Sequence, residues 1–223
     1  MHDLAVIVPS RGRPGNIAML RQAFVDTKAT AHLVVAVDDD DALLPRYKAL
    51  NLEHLVVGPR LRLAGTLNVV ARGLLGQYRT FGVMGDDHRP RSRGWDARFV
   101  AGLDALGTGI VYGDDLAQGA ALPTAVAMSA DIVAALNGVT PPGMIHLYID
   151  NFWHRLGTDL DRLSYFPDVV IEHLHPLVGK AAVDPLYREV NAPSLYAADE
   201  ATFNAYIASD AYRALLKQLE PST

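Results

Sequence analysis

The chain has 223 residues, half of them apolar and a fifth charged, with no cysteine and a formal net charge of −5. That length suits one domain able to bury its own core, and zero cysteine excludes disulfides, thiolate metal sites and cysteine nucleophiles. The acidic balance argues against non-specific coating of nucleic acid, no apolar run approaches the roughly 18–20 residues of a membrane span, and a mean hydropathy of +0.10 argues against disorder.

Residues Met1-His2-Asp3-Leu4 lead almost directly into a strand-like run. There is no basic segment followed by an apolar stretch, so no signal peptide and a cytoplasmic location are expected. Leu4 to Val8 is a continuous apolar, β-branched run ended by the turn-rich loop Pro9-Ser-Arg-Gly-Arg-Pro-Gly15, which reads as a buried strand and a loop. Asn16 is placed to cap a helix running to about Lys28, with Ile17, Leu20, Phe24 and Val25 on one face. A second strand, His32 to Val37, stops at the acidic run Asp38 to Asp41. A short third strand, Leu55 to Val57, precedes Arg60 and Arg62. A helix from about Gly65 to Gln77 carries Leu67, Val70 and Leu74 on one stripe, and a fourth strand, Thr80 to Met84, ends at Gly85-Asp-Asp-His88. Trp95, Phe99 and Leu103 mark a further helix.

The second half is less regular. Strands are predicted over Gly109–Gly113, Ala125–Met128 and Val169–Ile171, with Ser129 as a helix cap after the second of them. Helices are predicted over Tyr148–Leu156 and Asp199–Leu219, and the tail Glu220–Thr223 is expected to fray. The whole, residues 1–223, reads as a single domain: a half at 1–105, a second half at 106–198 and a C-terminal helix at 199–219. The alternation of strands and helices predicts an α/β fold, a mostly parallel sheet flanked by helices, with an irregular C-terminal part.

In open α/β sheets the ligand crevice lies at the carboxyl ends of the strands. Those ends carry Ser10 to Arg13, Asp38 to Asp41, Arg60 with Arg62, and Asp86-Asp87-His88, so the polar chemistry of the first half converges on one rim. Asp86, Asp87 and His88 offer hard oxygen and imidazole ligands that suit Mg²⁺ or Mn²⁺ beside substrate phosphates; the alternative is a solvated acidic turn. The Asp38–Asp41 run suits either a ribose or base contact or plain solvation. Arg11, Arg13, Arg60 and Arg62 are either guanidinium forks for phosphate or ordinary surface charge. His173 and His175 lie two apart after a strand and share a face if the backbone is extended, as a metal ligand or as structural histidines. Asp150, among Tyr148, Phe152 and Trp153, is a candidate base with a raised pKa, or a helix carboxylate pairing with Arg155 or His154. Trp95, Tyr148, Trp153 and Tyr187 either line a cleft or fill the core. No G-x-S-x-G elbow, phosphate-binding P-loop or G-x-G-x-x-G dinucleotide loop follows a strand.

Taken together, Ala5-Val-Ile-Val-Pro-Ser-Arg-Gly-Arg-Pro14, Val34-Val-Ala-Val-Asp-Asp-Asp40, the helix Gly65 to Arg72 with Asn68, Val83-Met-Gly-Asp-Asp-His88, Tyr148-Ile-Asp150 and Glu172-His-Leu-His175 resemble the nucleotide-sugar glycosyltransferases of GT-A fold, in the broad family-2-like group. The resemblance spans about residues 4 to 176, and the Gly85–Asp96 run is similar to small bacteriophage and prophage members. Two departures stand out: His88 sits where many members carry a third Asp, and Ile149-Asp150 where Glu-Asp is common.

The resemblance implies a metal-dependent, inverting glycosyltransferase using Mn²⁺ or Mg²⁺. A nucleoside diphosphate sugar would meet Pro9, Ser10, Arg11, Arg13, Asp38, Asp40, Arg62, Asn68 and Asp86. By the same resemblance Asp87, His88, His173 and His175 would supply the metal ligands, and Asp150 the base. For a phage-type enzyme the implied acceptors are a hydroxymethylated base in DNA, a virion protein or a cell-wall glycan, in the host cytoplasm. Arg89, Arg91 and Arg93 form a local basic strip that suits DNA phosphates or the donor diphosphate. The alternatives are a nucleotidyltransferase-like enzyme and a non-catalytic sugar-binding homologue.

Overall fold

The computed structural model of the chain describes residues 1–176, 179–180 and 182–220, so the tail beyond Glu220 that was expected to fray lies outside the described residues. In chain order the elements are β1 (His2–Ser10), α1 (Pro14–Thr27), β2 (His32–Asp38), α2 (Leu44–Lys48), β3 (His54–Gly58), α3 (Arg62–Leu74), β4 (Tyr78–Val83), β5 (His88–Pro90), α4 (Trp95–Leu106) and β6 (Ile110–Asp114). Then follow β7 (Val126–Ser129), α5 (Ala130–Leu136), α6 (Ile149–Asp159), β8 (Leu163–His173), α7 (Pro185–Val190), α8 (Pro193–Ile207) and α9 (Asp210–Leu219).

The fold is α/β, with an eight-stranded, mostly parallel sheet in the order β3-β2-β1-β4-β7-β6-β8-β5. Strands β3, β2, β1 and β4 are mutually parallel, whereas β7 runs antiparallel to both of its neighbours and β5 antiparallel to β8. Side chains alternate along each strand, and both faces are covered. Ala5, Ile7, Val34 and Ala36 pack with Leu67, Phe152 and Leu215 on one side, and Val6, Val8, Val35 and Val37 with Leu20, Trp95 and Phe99 on the other. Two buried faces explain why these strands read as unbroken apolar runs. Because β1 to β4 are parallel, their carboxyl ends share one edge, and contacts tie that edge together: Ser10 to Asp86, Arg11 to Asp38.

Several expectations are corrected. Arg13, not Asn16, is the residue before α1, and Pro14 opens the helix, with a ring geometry preorganised for that position. Val25 is 63% exposed instead of joining the α1 core face. Ser129 precedes α5 without capping it through its hydroxyl, which accepts the Gly109 N–H instead. The single C-terminal helix is two, because Ser209 accepts the Tyr212 N–H and starts α9 afresh. The short strand at Val169–Ile171 extends over Leu163–His173, and β5, α2 and α7 were not among the expected elements.

Asp199 of α8 is fully buried, and its carboxylate accepts the backbone N–H groups of Ile145, His146 and Leu147 at 2.7–2.8 Å. The Ile145 carbonyl in turn accepts the Ala64 N–H of α3. The loop entering α6 is therefore clamped between α3 and the C-terminal helices. Asp199→Ala leaves three donors unsatisfied, and each typically costs about 1–3 kcal/mol. A loss of about 3 kcal/mol in urea-denaturation stability is expected, with Asp199→Asn intermediate because its amide keeps one acceptor oxygen. A loss below about 1 kcal/mol would show that the loop does not depend on this clamp.

Candidate active site

The parallel strand ends open into a cleft of about 530 Å³. Its floor is the turn after β4. There Asp86 is buried and fully engaged: Oδ2 accepts the Ser10 hydroxyl at 2.6 Å, and Oδ1 accepts Asn16 Nδ2 at 3.1 Å and faces Arg13 at 3.4 Å. Burial, and then the neighbouring Asp87 charge, raise its pKa. Buried Tyr47 of α2 backs this floor, its hydroxyl 2.8 Å from Ser10 Oγ and accepting the Arg13 N–H. Arg89 is buried beneath this turn and donates to the carbonyls of Asp86 and His88. A fixed cation next to two adjacent carboxylates offsets their mutual repulsion.

Asp87 meets a late strand here. β5 pairs antiparallel with β8 so that His88 lies opposite His173, and the Asp87 carbonyl accepts the Leu174 N–H. The His88 and His173 rings stack with centroids 4.1 Å apart, and the His175 ring lies 4.8 Å from that of His173. Asp87 Oδ2 sits 3.5 Å from His173 Nε2. Ligand-capable atoms of Asp87, His88 and His173 all lie within 4.8 Å of one another, the only such group among the described residues. Burial acts to raise the Asp87 pKa, but its hydrogen-bonding neighbours, His173 foremost, hold it well below the usual carboxylate range. His88 is buried, which lowers its pKa and keeps it neutral. Its Nδ1 accepts the Gly85 N–H at 2.9 Å, and its Nε2 lies 3.4 Å from the Thr124 hydroxyl, itself donating to Asp115. As folded, both nitrogens of His88 are in use, while Asp87 and His173 face the cleft. A Cβ at Gly85 would come within 2.5 Å of Asp87 Oδ1 and 3.1 Å of His88 Nδ1, so any larger residue there displaces the Asp87 carboxylate.

The other wall is the start of α6. Asp150 lines the cleft with Tyr148 and Trp153. Its carboxylate accepts the Asn151 N–H and has no salt-bridge partner among the described residues, since Arg155 pairs with Asp159. Burial raises its pKa. His146, which sequence reasoning missed, also lines the cleft, and burial lowers its pKa to about 4, leaving a neutral imidazole.

The third wall is the arginine rim. Arg11 donates to Asp38 at 2.7 Å and to Asp40; Asp38 lines the cleft and Asp40 does not. Arg13 forks onto both oxygens of Asp184, at 2.7 and 2.9 Å. Arg60 and Arg62 both donate to Glu189. Pro9 lines the cleft as well. Of the remaining acids of the Asp38–Asp41 run, Asp41 is buried and accepts the Gly12 and Leu43 N–H groups, a turn-holding task.

Three sequence expectations meet a different arrangement. Asn68 does not line the cleft: its Oδ1 accepts the Val139 and Thr140 N–H groups and its Nδ2 donates to Thr140, so the amide is spent on holding that turn. Of the predicted basic strip, Arg89 is buried, while Arg91, paired with Glu172, and Arg93 are exposed. Trp95 is core, packed edge-on to Phe24 and Phe99, whereas Tyr148, Trp153 and Tyr187 line the cleft. Asp184 and Glu189 were invisible in sequence except for the helix-start pair Asp184-Pro185, because their partners lie 171 and 127 residues away.

No protein-family profile and no curated protein sequence matches the chain. Its fold is nevertheless that of solved GT-A, Rossmann-like structures. A mannosyltransferase of Pyrobaculum calidifontis, solved with GDP-mannose and Mn²⁺, superposes with a TM-score of 0.59 at 16% identity, over 97% of this chain and 84% of that one. The manganese complex of Rv0371C from Mycobacterium tuberculosis H37Rv gives 0.53 at 14% identity, over 97% and 98%. A candidate glucose-1-phosphate thymidylyltransferase of Bacillus anthracis, solved with sucrose, gives 0.51 at 11%, over 86% and 98%. Among the described residues no helix is long and apolar enough to cross a membrane.

Proposed function

We propose that the chain is a metal-dependent glycosyltransferase that moves a sugar from a nucleoside diphosphate sugar to an acceptor hydroxyl with inversion. The observation that carries this reading is one cleft holding three things: the Asp87–His173 pair, an arginine rim, and Asp150, a half-buried carboxylate with no salt-bridge partner among the described residues. The two solved structures with manganese, one of them holding GDP-mannose, support it through their shared fold. The donor set of carboxylate oxygen and imidazole nitrogen fits Mn²⁺ or Mg²⁺.

Asp87 and His173 hold the ion, with His175 adjoining, and His88 takes part if its bond from Gly85 is released. A divalent ion bound there supplies positive charge to the leaving diphosphate. Asp38, Ser10 and Pro9 face the nucleoside part of the donor, and Arg13, Arg60 and Arg62 its phosphates. Asp150, pushed toward the proton-accepting range by burial, takes the proton of the acceptor hydroxyl as that oxygen attacks the anomeric carbon from the face opposite the diphosphate. Tyr148, Trp153 and Tyr187 shape the acceptor side. A modified DNA base as acceptor and a phage-type origin rest on the sequence resemblance, and the burial of Arg89 weakens the basic strip that favoured DNA. A mass-spectrometric screen of nucleotide sugars against glycan, protein and modified-DNA acceptors, with Mn²⁺ and with EDTA, tests the reading. Transfer with one donor class, lost in EDTA, is expected; transfer unchanged by EDTA and by Asp87→Ala overturns it.

A further inference from the structure

The cleft's arginines already carry anions, and three of the four use carboxylates from one late segment. Asp184 caps α7 and Glu189 lies in its last turn, and α7 follows β8 in the chain. A single oxygen of Glu189, Oε1, receives Nη2 of Arg60 at 2.8 Å and also Nη1 of Arg62. Both oxygens of Asp184 are forked by Arg13. One anionic oxygen shared by two guanidinium groups, beside a second bidentate fork, is the arrangement a phosphoryl group adopts against arginine. The same segment sets Tyr187 against His175, its ring centroid 5.4 Å away. The Arg62 contact lowers the Glu189 pKa and the Arg13 contact that of Asp184, so both are fully ionised anions at neutral pH.

We infer that Asp184, which lines the cleft, and Glu189, which pairs with the cleft-lining Arg60 and Arg62, are internal anions held by the arginines of the phosphate subsite, and that a diphosphate binds by displacing them from Arg13, Arg60 and Arg62. The inference rests on the donor reading of the cleft. A carboxylate left on Arg60 and Arg62 repels an incoming phosphate, and a diphosphate brings more charge and more acceptor oxygens than the carboxylates it replaces. Exchange keeps three guanidinium groups neutralised in both states, so the empty cleft is not left with a bare cationic rim. The cost is a lowered apparent affinity, by the fraction of molecules in which the subsite is free.

Neutral variants read that cost directly. Titration calorimetry of the full chain with inorganic pyrophosphate, and with a panel of nucleoside diphosphates plus Mn²⁺, compares wild type with Glu189→Gln, Asp184→Asn and the distant control Asp104→Asn. Asp104 pairs with Arg79 on the exposed surface and controls for loss of one negative charge. Glu189→Gln is expected to bind pyrophosphate about five- to tenfold more tightly than wild type, with a smaller gain for Asp184→Asn, whose amide preserves the α7 cap, and none for Asp104→Asn. If one cleft variant fails to fold, the other carries the comparison. Unchanged or weaker pyrophosphate binding by the folded cleft variants, an equal gain in Asp104→Asn, or no pyrophosphate binding by any protein overturns the inference. A gain in pyrophosphate affinity without binding of any nucleoside diphosphate overturns the donor reading instead and supports the internal anions.

Discussion

Asp87→Asn is expected to lower sugar transfer about a thousandfold and to remove its dependence on Mn²⁺. Asp87 is the one carboxylate in the group of ligand-capable side chains, and it is held ionised beside His173. Asp86 cannot take over, because its oxygens already serve Ser10, Asn16 and Arg13. Charge stabilisation by a catalytic metal is worth several kcal/mol, and about 1.4 kcal/mol is tenfold in rate, so a loss of about 4 kcal/mol gives the stated factor. The measurement is steady-state transfer against Mn²⁺ concentration, with direct titration of the ion into each protein. A variant within tenfold of wild type, or one that binds Mn²⁺ equally well, would remove Asp87 from the ion site.

Asp150→Asn is the second large effect: a loss of about a thousandfold in kcat, the middle of the range for a general base, with donor binding unchanged. In the wild-type enzyme the acid limb of the kcat profile should lie above the ordinary carboxylate range, because burial raises this pKa. The same shift has a stability sign. Between the ordinary carboxylate pKa and the raised folded-state value, the folded chain binds more protons than the unfolded one. Stability therefore falls as pH rises through that window and stays lowered above it. Asn removes the ionisation and keeps an oxygen for the Asn151 N–H. The variant should thus lose activity yet gain Tm at neutral pH, a pairing that misfolding does not produce. Near-normal turnover, or an acid limb at the ordinary carboxylate pKa, would give the base role to another group.

Much of the frame was legible because it is local. Buried parallel strands must be apolar on both faces, so β1, β2 and β4 appear as continuous runs such as Leu4 to Val8. Parallel order then sends their carboxyl ends to one edge, and Ser10, Asp38, Arg60 and Asp86 arrive there whatever the details of packing. Helix edges were less legible. Asn16 has the chemistry of a cap, but its amide is used on Asp86, 70 residues away, and Ser209 splits the last helix by a bond that apolar periodicity does not report.

The sequence by itself determined the class of fold, the rim, and the residue types on it, because alternation of side chains and the direction of parallel strands are properties of short segments. Only the tertiary structure decided which of those residues meet. The β5–β8 register sets His173 on Asp87, the Asp199 clamp fixes the loop before Asp150, and the fold turns Asn68 toward Thr140 and Arg89 into the interior. It also brings Asp184 and Glu189 onto arginines more than a hundred residues away. Such pairings depend on how strands register and how helices close over them, and burial then assigns each charge a partner, since an ion removed from water without one is too costly to keep.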